Sequence, residues 1–132
     1  MIKTCNTADF GRHGRRWNAY NELKGRWSRE IELYARSTGF RSLIGGYFTF
    51  MWAEPDKRRD PDNVVGGGHK ILFDALVGAG FIHNDGWKHV HGFADYWIVD
   101  NKRPGVLIMV TKSQTLGWDD AHSAFQEQKA NE

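Results

Sequence analysis

The segment best equipped for chemistry is Asp60-Pro61-Asp62-Asn63. In an extended stretch, residues two apart point the same way, so the carboxylates of Asp60 and Asp62 converge while Pro61 stiffens the backbone between them. Two convergent anions repel unless a cation sits between them. Hard oxygen ligands of this kind suit Mg²⁺, with Mn²⁺ as a substitute. Such an ion takes one or two carboxylates, keeps several waters and completes its shell with phosphate oxygens. A third acid, Asp85, stands in the turn Asn84-Asp85-Gly86. A helix over residues 69–79, rising ~15 Å, would return the chain to the same end of the fold and bring Asp85 to the pair. Three acids with open coordination positions are the protein half of a metal-assisted phosphodiester hydrolase. At the start of that helix, Lys70 would stabilise charge on the phosphorus-centred transition state or orient the attacking water. Asp74, one turn on, pairs with Lys70 at i, i+4 and holds its geometry.

Each of these residues also has a plainer use. Asp and Asn beside proline make ordinary turns and helix caps, and Asp85-Gly86 suits a hairpin turn. Gly66-Gly67-Gly68 before Lys70 looks like a phosphate cradle, but Ile71 stands where a P-loop needs Ser or Thr, which excludes that motif. His83, His89 and His91 can be drawn as a zinc site, yet no HExxH or cysteine partner supports it, and hydrogen-bonded or surface histidines are the better reading. Of Trp17, Trp27, Trp52, Trp87, Trp97 and Trp118, most belong in a core; Trp87, beside Asp85, is the one placed to touch a substrate.

These residues must be carried by a small set of elements. Tyr20, Leu23, Trp27, Ile31 and Tyr34 recur at steps of three and four, which predicts an amphipathic helix over 18–38. Its other face shows Lys24, Arg26, Arg29 and Arg36. Residues 47–53 predict a strand with Phe48, Phe50 and Trp52 on one side, ended by Pro55. The polar run 56–63 and the glycines after it predict a loop. Ile71, Leu72, Ala75, Leu76 and Ala79 mark the helix over 69–79, with Gly80 as its cap. Residues 87–93 and 96–99 predict one strand or a bent pair, and 106–111 a strand buried on both faces. Asp119 is the expected N-cap of a last helix through Ala121, Phe125 and Gln128. This order predicts a single α+β domain over 1–132, with helices packed on a mixed or antiparallel sheet.

Composition fits that picture. The chain has 132 residues, 40% hydrophobic and 14% aromatic, enough to bury a core and too much for a disordered chain. One cysteine, Cys5, rules out an internal disulfide and a cysteine-rich zinc site. No uncharged apolar stretch approaches the ~18 residues of a membrane span, and MIKTCNTADF lacks a secretory h-region, so a cytoplasmic address without membrane contact is expected. Net charge is +2, but residues 1–59 carry 12 Lys and Arg against 6 Asp and Glu, while 60–132 carry 6 against 10. A basic half and an acidic half suit a protein that grips a polyanion and holds cations beside it.

Arg59-Asp60-Pro61-Asp62-Asn63, then Lys70-Ile71-Leu72-Phe73-Asp74-Ala75-Leu76, then Gly80-Phe81-Ile82 and Asn84-Asp85, together resemble the RusA family of Holliday-junction resolvases, in particular its phage-borne members. The resemblance spans about residues 47–110 and leaves 112–132 as a tail outside it. It implies a RusA-like fold, metal-binding and catalytic roles for Asp60, Asp62 and Asp85, an active-site role for Lys70, and support from Asn63 and Asp74. It also implies a Mg²⁺-dependent endodeoxyribonuclease of DNA recombination and repair, in a bacterial cell or phage-infected host. Such an enzyme nicks opposing strands of a four-way junction, and two symmetric nicks call for a homodimer. Lys57, Arg58 and Arg59 flank the acids, and Arg26, Arg29 and Lys88 would line the DNA backbone. Two features depart from the family pattern: extra residues, the glycines among them, separate Asn63 from Lys70, and Asn84 stands where a first acid is common. A nuclease on flaps or other branched DNA, and a non-catalytic DNA-binding module, are the alternatives.

Overall fold

The computed structural model describes residues 17–38 and 43–130. Helix α1 (Trp17–Thr38) is followed by strand β1 (Gly46–Glu54), helix α2 (Pro61–Gly78), strand β2 (Val90–Val99), strand β3 (Gly105–Thr111) and helix α3 (Trp118–Ala130). The strands form one mixed sheet in the order β2-β1-β3, with β2 parallel and β3 antiparallel to β1. The fold is α+β. The parallel pair requires a crossover, and α2 supplies it. Cys5 and His13 lie outside the described residues.

Period-two alternation in β1 sends its side chains to two different layers. Phe48, Phe50 and Trp52 face α1 and α2, where they meet Trp27, Ile31, Val64, Ile71, Leu72, Phe73 and Ala75 in the larger core. Met51 and Ala53 face the other way and pack with Leu107, Ala121 and Phe125 under α3. Residues 112–132, outside the resemblance, supply the last helix that the sequence predicts, and it covers the second face of the sheet; the last two residues lie outside the described set.

Several boundaries differ from those expected. The loop predicted over 56–68 ends at Asp60, and α2 begins at Pro61, eight residues earlier than the sequence period suggests. The Val64 N–H already donates to the Asp60 carbonyl at 3.3 Å, opening the helical ladder. Proline at the first helical position costs nothing, because its missing N–H is one that the first turn leaves unused. The stripe Ile71, Leu72, Ala75, Leu76 in fact continues upstream through buried Gly68 and Val64. Glycine has no side chain to show in a hydrophobic pattern, so two turns of helix are hidden. The strand expected over 87–93 and 96–99 is a single one, β2, which begins at Val90 rather than at residue 87 and runs without a break to Val99, with Trp87 in the turn before it. Strand β3 is a sheet edge, yet both of its faces are covered, Val106 and Ile108 by the larger core and Leu107 and Met109 by the smaller, and only Val110 toward its end is exposed. On α1, Trp27 and Ile31 are buried as the stripe requires, whereas Tyr34 is exposed. Helix α3 starts one residue ahead of Asp119, which therefore lies in the first turn.

The turn between β2 and β3 is anchored on Asp100. Its Oδ1 accepts the N–H groups of Lys102 and Arg103, both at 3.1 Å, and Lys129 Nζ of α3 approaches Oδ2 at 2.9 Å. The hydrogen bond from Lys129, helped by the two backbone N–H groups and opposed by burial, holds this carboxyl below its ordinary range. A depressed folded value means stability that is full above the unfolded pKa of about 4 and lost as pH falls through the folded one. Asp100→Asn is expected to cost about 1–3 kcal/mol near neutral pH, the usual range for charge-assisted hydrogen bonds. In urea melts followed from pH 7 to pH 2, the gap to wild type should close below about pH 4.

Candidate functional site

Helix α2 carries most of the candidate residues, and its geometry decides how they meet. Asp62, Gly66, Lys70 and Asp74 are spaced by four, so they form one ridge along the helix, and all but half-buried Asp74 are exposed. Lys70 Nζ donates to Asp74 Oδ1 at 3.0 Å, the i, i+4 pair expected from the sequence. That hydrogen bond and the Asp74 charge raise the Lys70 pKa above its ordinary value, and the charge of Asp85 adds to the shift. The turn holding Asp85 thus contributes to the field at Lys70.

Asp60 and Asp62 sit elsewhere on the same helix. Asp60 is the N-cap, with extended backbone at φ −70° and ψ 144°, and its side chain makes no capping hydrogen bond. Asp62 lies in the first helical turn, so the extended Asp-Pro-Asp arrangement expected from the sequence is corrected: its second acid is helical. Lys70 lies in the middle of α2 and not at its start, so the positive end of the helix dipole does not act on it. Eight residues separate it from Asp62, about 12 Å of rise. The glycines between them are helix and not a lengthened loop. Among the described residues no group of three His, Cys, Asp or Glu side chains is arranged to hold a metal. The donor set of Asp60 and Asp62, two exposed carboxylates at one helix start, nonetheless fits a partly hydrated divalent ion, which needs only one or two such ligands. A closed three-carboxylate site with Asp85 does not fit this arrangement. The side chain of Asn63 lies outside the described ones.

The basic residues divide between the two ends of α2. Lys57, Arg58 and Arg59 precede its N-terminus; Lys57 and Arg58 are exposed, Arg58 pairs with Asp56 at 3.3 Å, and Arg59 is half-buried. Lys88 is exposed three residues beyond Asp85. On α1, Arg29 is exposed and Arg26 half-buried. Gly66 and Gly67 are exposed on α2, and a Cβ on either would meet nothing within 4 Å. Packing inside the chain does not require glycine there, although each costs about 1 kcal/mol of helix propensity against alanine.

Beneath the ridge lies a polar group that sequence reasoning missed. Asp95 of β2 faces α2 from within the aromatic core, and its Oδ1 accepts from Trp52 Nε1 at 2.8 Å and from His69 Nε2 at 2.7 Å. A carboxylate only accepts, so the proton of each bond comes from the ring. The His69 ring is enclosed by Phe93 at 4.6 Å, Phe50 at 5.0 Å, and Trp52 and Phe73 at 6.0 Å between centroids. The usable signal was Asp95 itself, a lone acid in the run Phe93-Ala94-Asp95-Tyr96-Trp97, where burial demands a partner. The three histidines considered for zinc have other tasks. His89 Nδ1 donates to the Ile44 carbonyl at 2.6 Å, His91 Nε2 to the Lys88 carbonyl at 3.1 Å, and the ring of His83 lies 6.0 Å from that of His89.

No family model matches the chain, and no curated protein matches it. Among the described residues, no helix is long and apolar enough to cross a membrane.

Asp95→Ala is expected to lower stability by at least about 2 kcal/mol, because it leaves two buried donors without an acceptor at about 1–3 kcal/mol each. Chemical denaturation followed by tryptophan emission checks this. A change within 0.5 kcal/mol would show that the carboxylate does not hold α2 to the sheet.

Proposed function

We propose that the chain is a Mg²⁺-dependent structure-selective endodeoxyribonuclease that resolves four-way DNA junctions as a homodimer. One observation carries this reading: Lys70 Nζ donates to Asp74 Oδ1 at 3.0 Å on the same exposed ridge of α2 as Asp62, and the Asp85 charge adds to the upward shift of the Lys70 pKa. This supports the joint use of the lysine helix and the acid turn that the resemblance to RusA-type resolvases implies.

In this reading Asp60 and Asp62 hold the ion at the start of α2. The ion supplies charge neutralisation at a phosphate and a more acidic water. The free N–H groups of the first helical turn favour the phosphate itself. Lys70, kept protonated by Asp74 and Asp85, lies further along the ridge and draws the DNA backbone over the exposed surface of Gly66 and Gly67, where no side chain holds it off. Lys57, Arg58 and Lys88 add phosphate contacts at the two ends of α2, so binding follows backbone shape and weakens with salt. Two-fold related copies would present two such surfaces to a junction of the same approximate symmetry.

A second reading has one observation in its favour. Since no three-ligand metal group is assembled among the described residues, a non-catalytic module that binds branched DNA would show the same surface.

Cleavage of a labelled four-way junction beside linear and flap duplexes, with and without Mg²⁺, separates these readings. Paired symmetric nicks confined to the junction are expected, with Asp62→Asn keeping DNA binding and losing cleavage by at least about 100-fold, on the scale of a lost metal ligand or its support. Equal cutting of the junction and the flap, with the linear duplex spared, would favour a general branched-DNA nuclease. Binding without cutting by the wild-type chain would favour the module.

A further inference from the structure

Trp87 is 96% exposed, the barest large apolar side chain among the described residues, and Ile44 is 88% exposed. The turn that displays Trp87 is tightly built. The Gly86 N–H donates to Asn84 Oδ1 at 2.9 Å, and the Gly86 carbonyl accepts from the N–H groups of His89 and Val90 at 3.0 and 2.9 Å. A Cβ on Gly86 would stand 2.9 Å from Asn84 Oδ1, so a side chain there would push the Asn84 amide out of its bond to the Gly86 N–H. Buried His89 then ties the turn to the carbonyl of Ile44. A rigid support thus holds an indole away from the protein with both of its faces bare. Among the described residues, no ring contact or hydrogen bond uses that indole.

We propose that Trp87 inserts into the interrupted base stack at the branch point of DNA, with a nucleobase on each face of the indole. The inference deepens the nuclease reading of the adjoining surface and rests on it. A ring open on both faces suits partners that are flat on both sides, and every base offers such a face. Insertion into continuous duplex must unstack a step, whereas a branch point has already lost that stacking. The surroundings argue against a protein partner. An interface anchor sits in an apolar ring that excludes water, but His83, Asn84, Asp85 and Lys88, the chain neighbours of Trp87, are all exposed and polar, and a single exposed Ile44 does not make such a ring. Lys88, next in the chain and exposed, is placed for a phosphate flanking the opened step. Trp87 would therefore set preference for branched over linear DNA, while the cations set general affinity.

The test is fluorescence anisotropy with a fluorescein-labelled synthetic four-way junction and a linear duplex of the same sequence, in Ca²⁺ to permit binding without Mg²⁺-supported cutting. Wild type, Trp87→Ala and Trp87→Phe are compared, and the exposure of residue 87 leaves folding unaffected, as thermal melts will check. Trp87→Ala is expected to lose about tenfold or more in junction affinity, on the scale of base–aromatic stacking, with less than a twofold change on duplex; Trp87→Phe should retain most of the preference. Equal loss on both DNAs, no loss on either, or a loss explained by a dimer falling apart in light scattering would overturn the inference. Unchanged junction binding and cutting by Trp87→Ala would overturn it while leaving the nuclease reading intact. A Trp87-dependent junction preference in a wild type that never cuts with Mg²⁺ would support the inference and remove the nuclease reading.

Discussion

The carboxylate of Asp95 is the interaction on which the arrangement of this molecule depends. A carboxyl side chain within an aromatic core costs several kcal/mol unless it is well paired, and here one oxygen takes hydrogen bonds from the indole of Trp52 and the imidazole of His69. Those partners lie on β1 and α2, and Asp95 lies on β2, so a single group joins both strands of the parallel pair to the helix that connects them. Apolar packing alone tolerates small rotations of a helix. A polar contact at 2.7 Å inside a ring of Phe50, Phe73 and Phe93 does not. With His69 turned inward, its neighbour Lys70 is turned out, and the ridge from Asp62 to Asp74 faces solvent as a consequence.

The parallel pairing of β1 and β2 imposes the second constraint. A chain leaving the top of β1 must travel the length of the sheet before β2 begins, and α2 covers that path with 18 residues, about 27 Å of rise. Asp60 and Asp62 fall at the first end of this crossover, while Asp85 falls in the segment that leads into β2 and contributes to the field at Lys70 in the middle of the helix. The candidate surface is therefore elongated: acids and basic residues at the helix start, a lysine and two acids further down, and bare helix backbone between them.

Much of this was legible in the residues, and the parts that were not share a physical cause. The apolar alternation of Phe48, Phe50 and Trp52 and the spacing of Trp27 and Ile31 report burial directly, so β1 and α1 could be read. The Lys70–Asp74 pair depends only on helical spacing. Helix α2 was cut short because Gly66, Gly67 and Gly68 erase the hydrophobic period they occupy and have poor helix propensity, whereas buried Val64 and the docking of His69 hold the segment helical. That one misreading shifted Asp62 from an extended loop into a helix and Lys70 from a helix start to its middle. The bond between His69 and Asp95 joins residues 26 apart through tertiary packing, and no local pattern encodes it.

The central claim is that α2 is one continuous helix from Pro61, glycines included, pinned at His69. Amide hydrogen exchange by NMR tests it most directly. The account predicts slow exchange and helical Cα shifts from Val65 through Lys70, continuous with Ile71 to Leu76. Exchange at unstructured rates with coil-like shifts over residues 64–69, beside a protected helix beginning only at Lys70, would contradict it and return the acids to a loop.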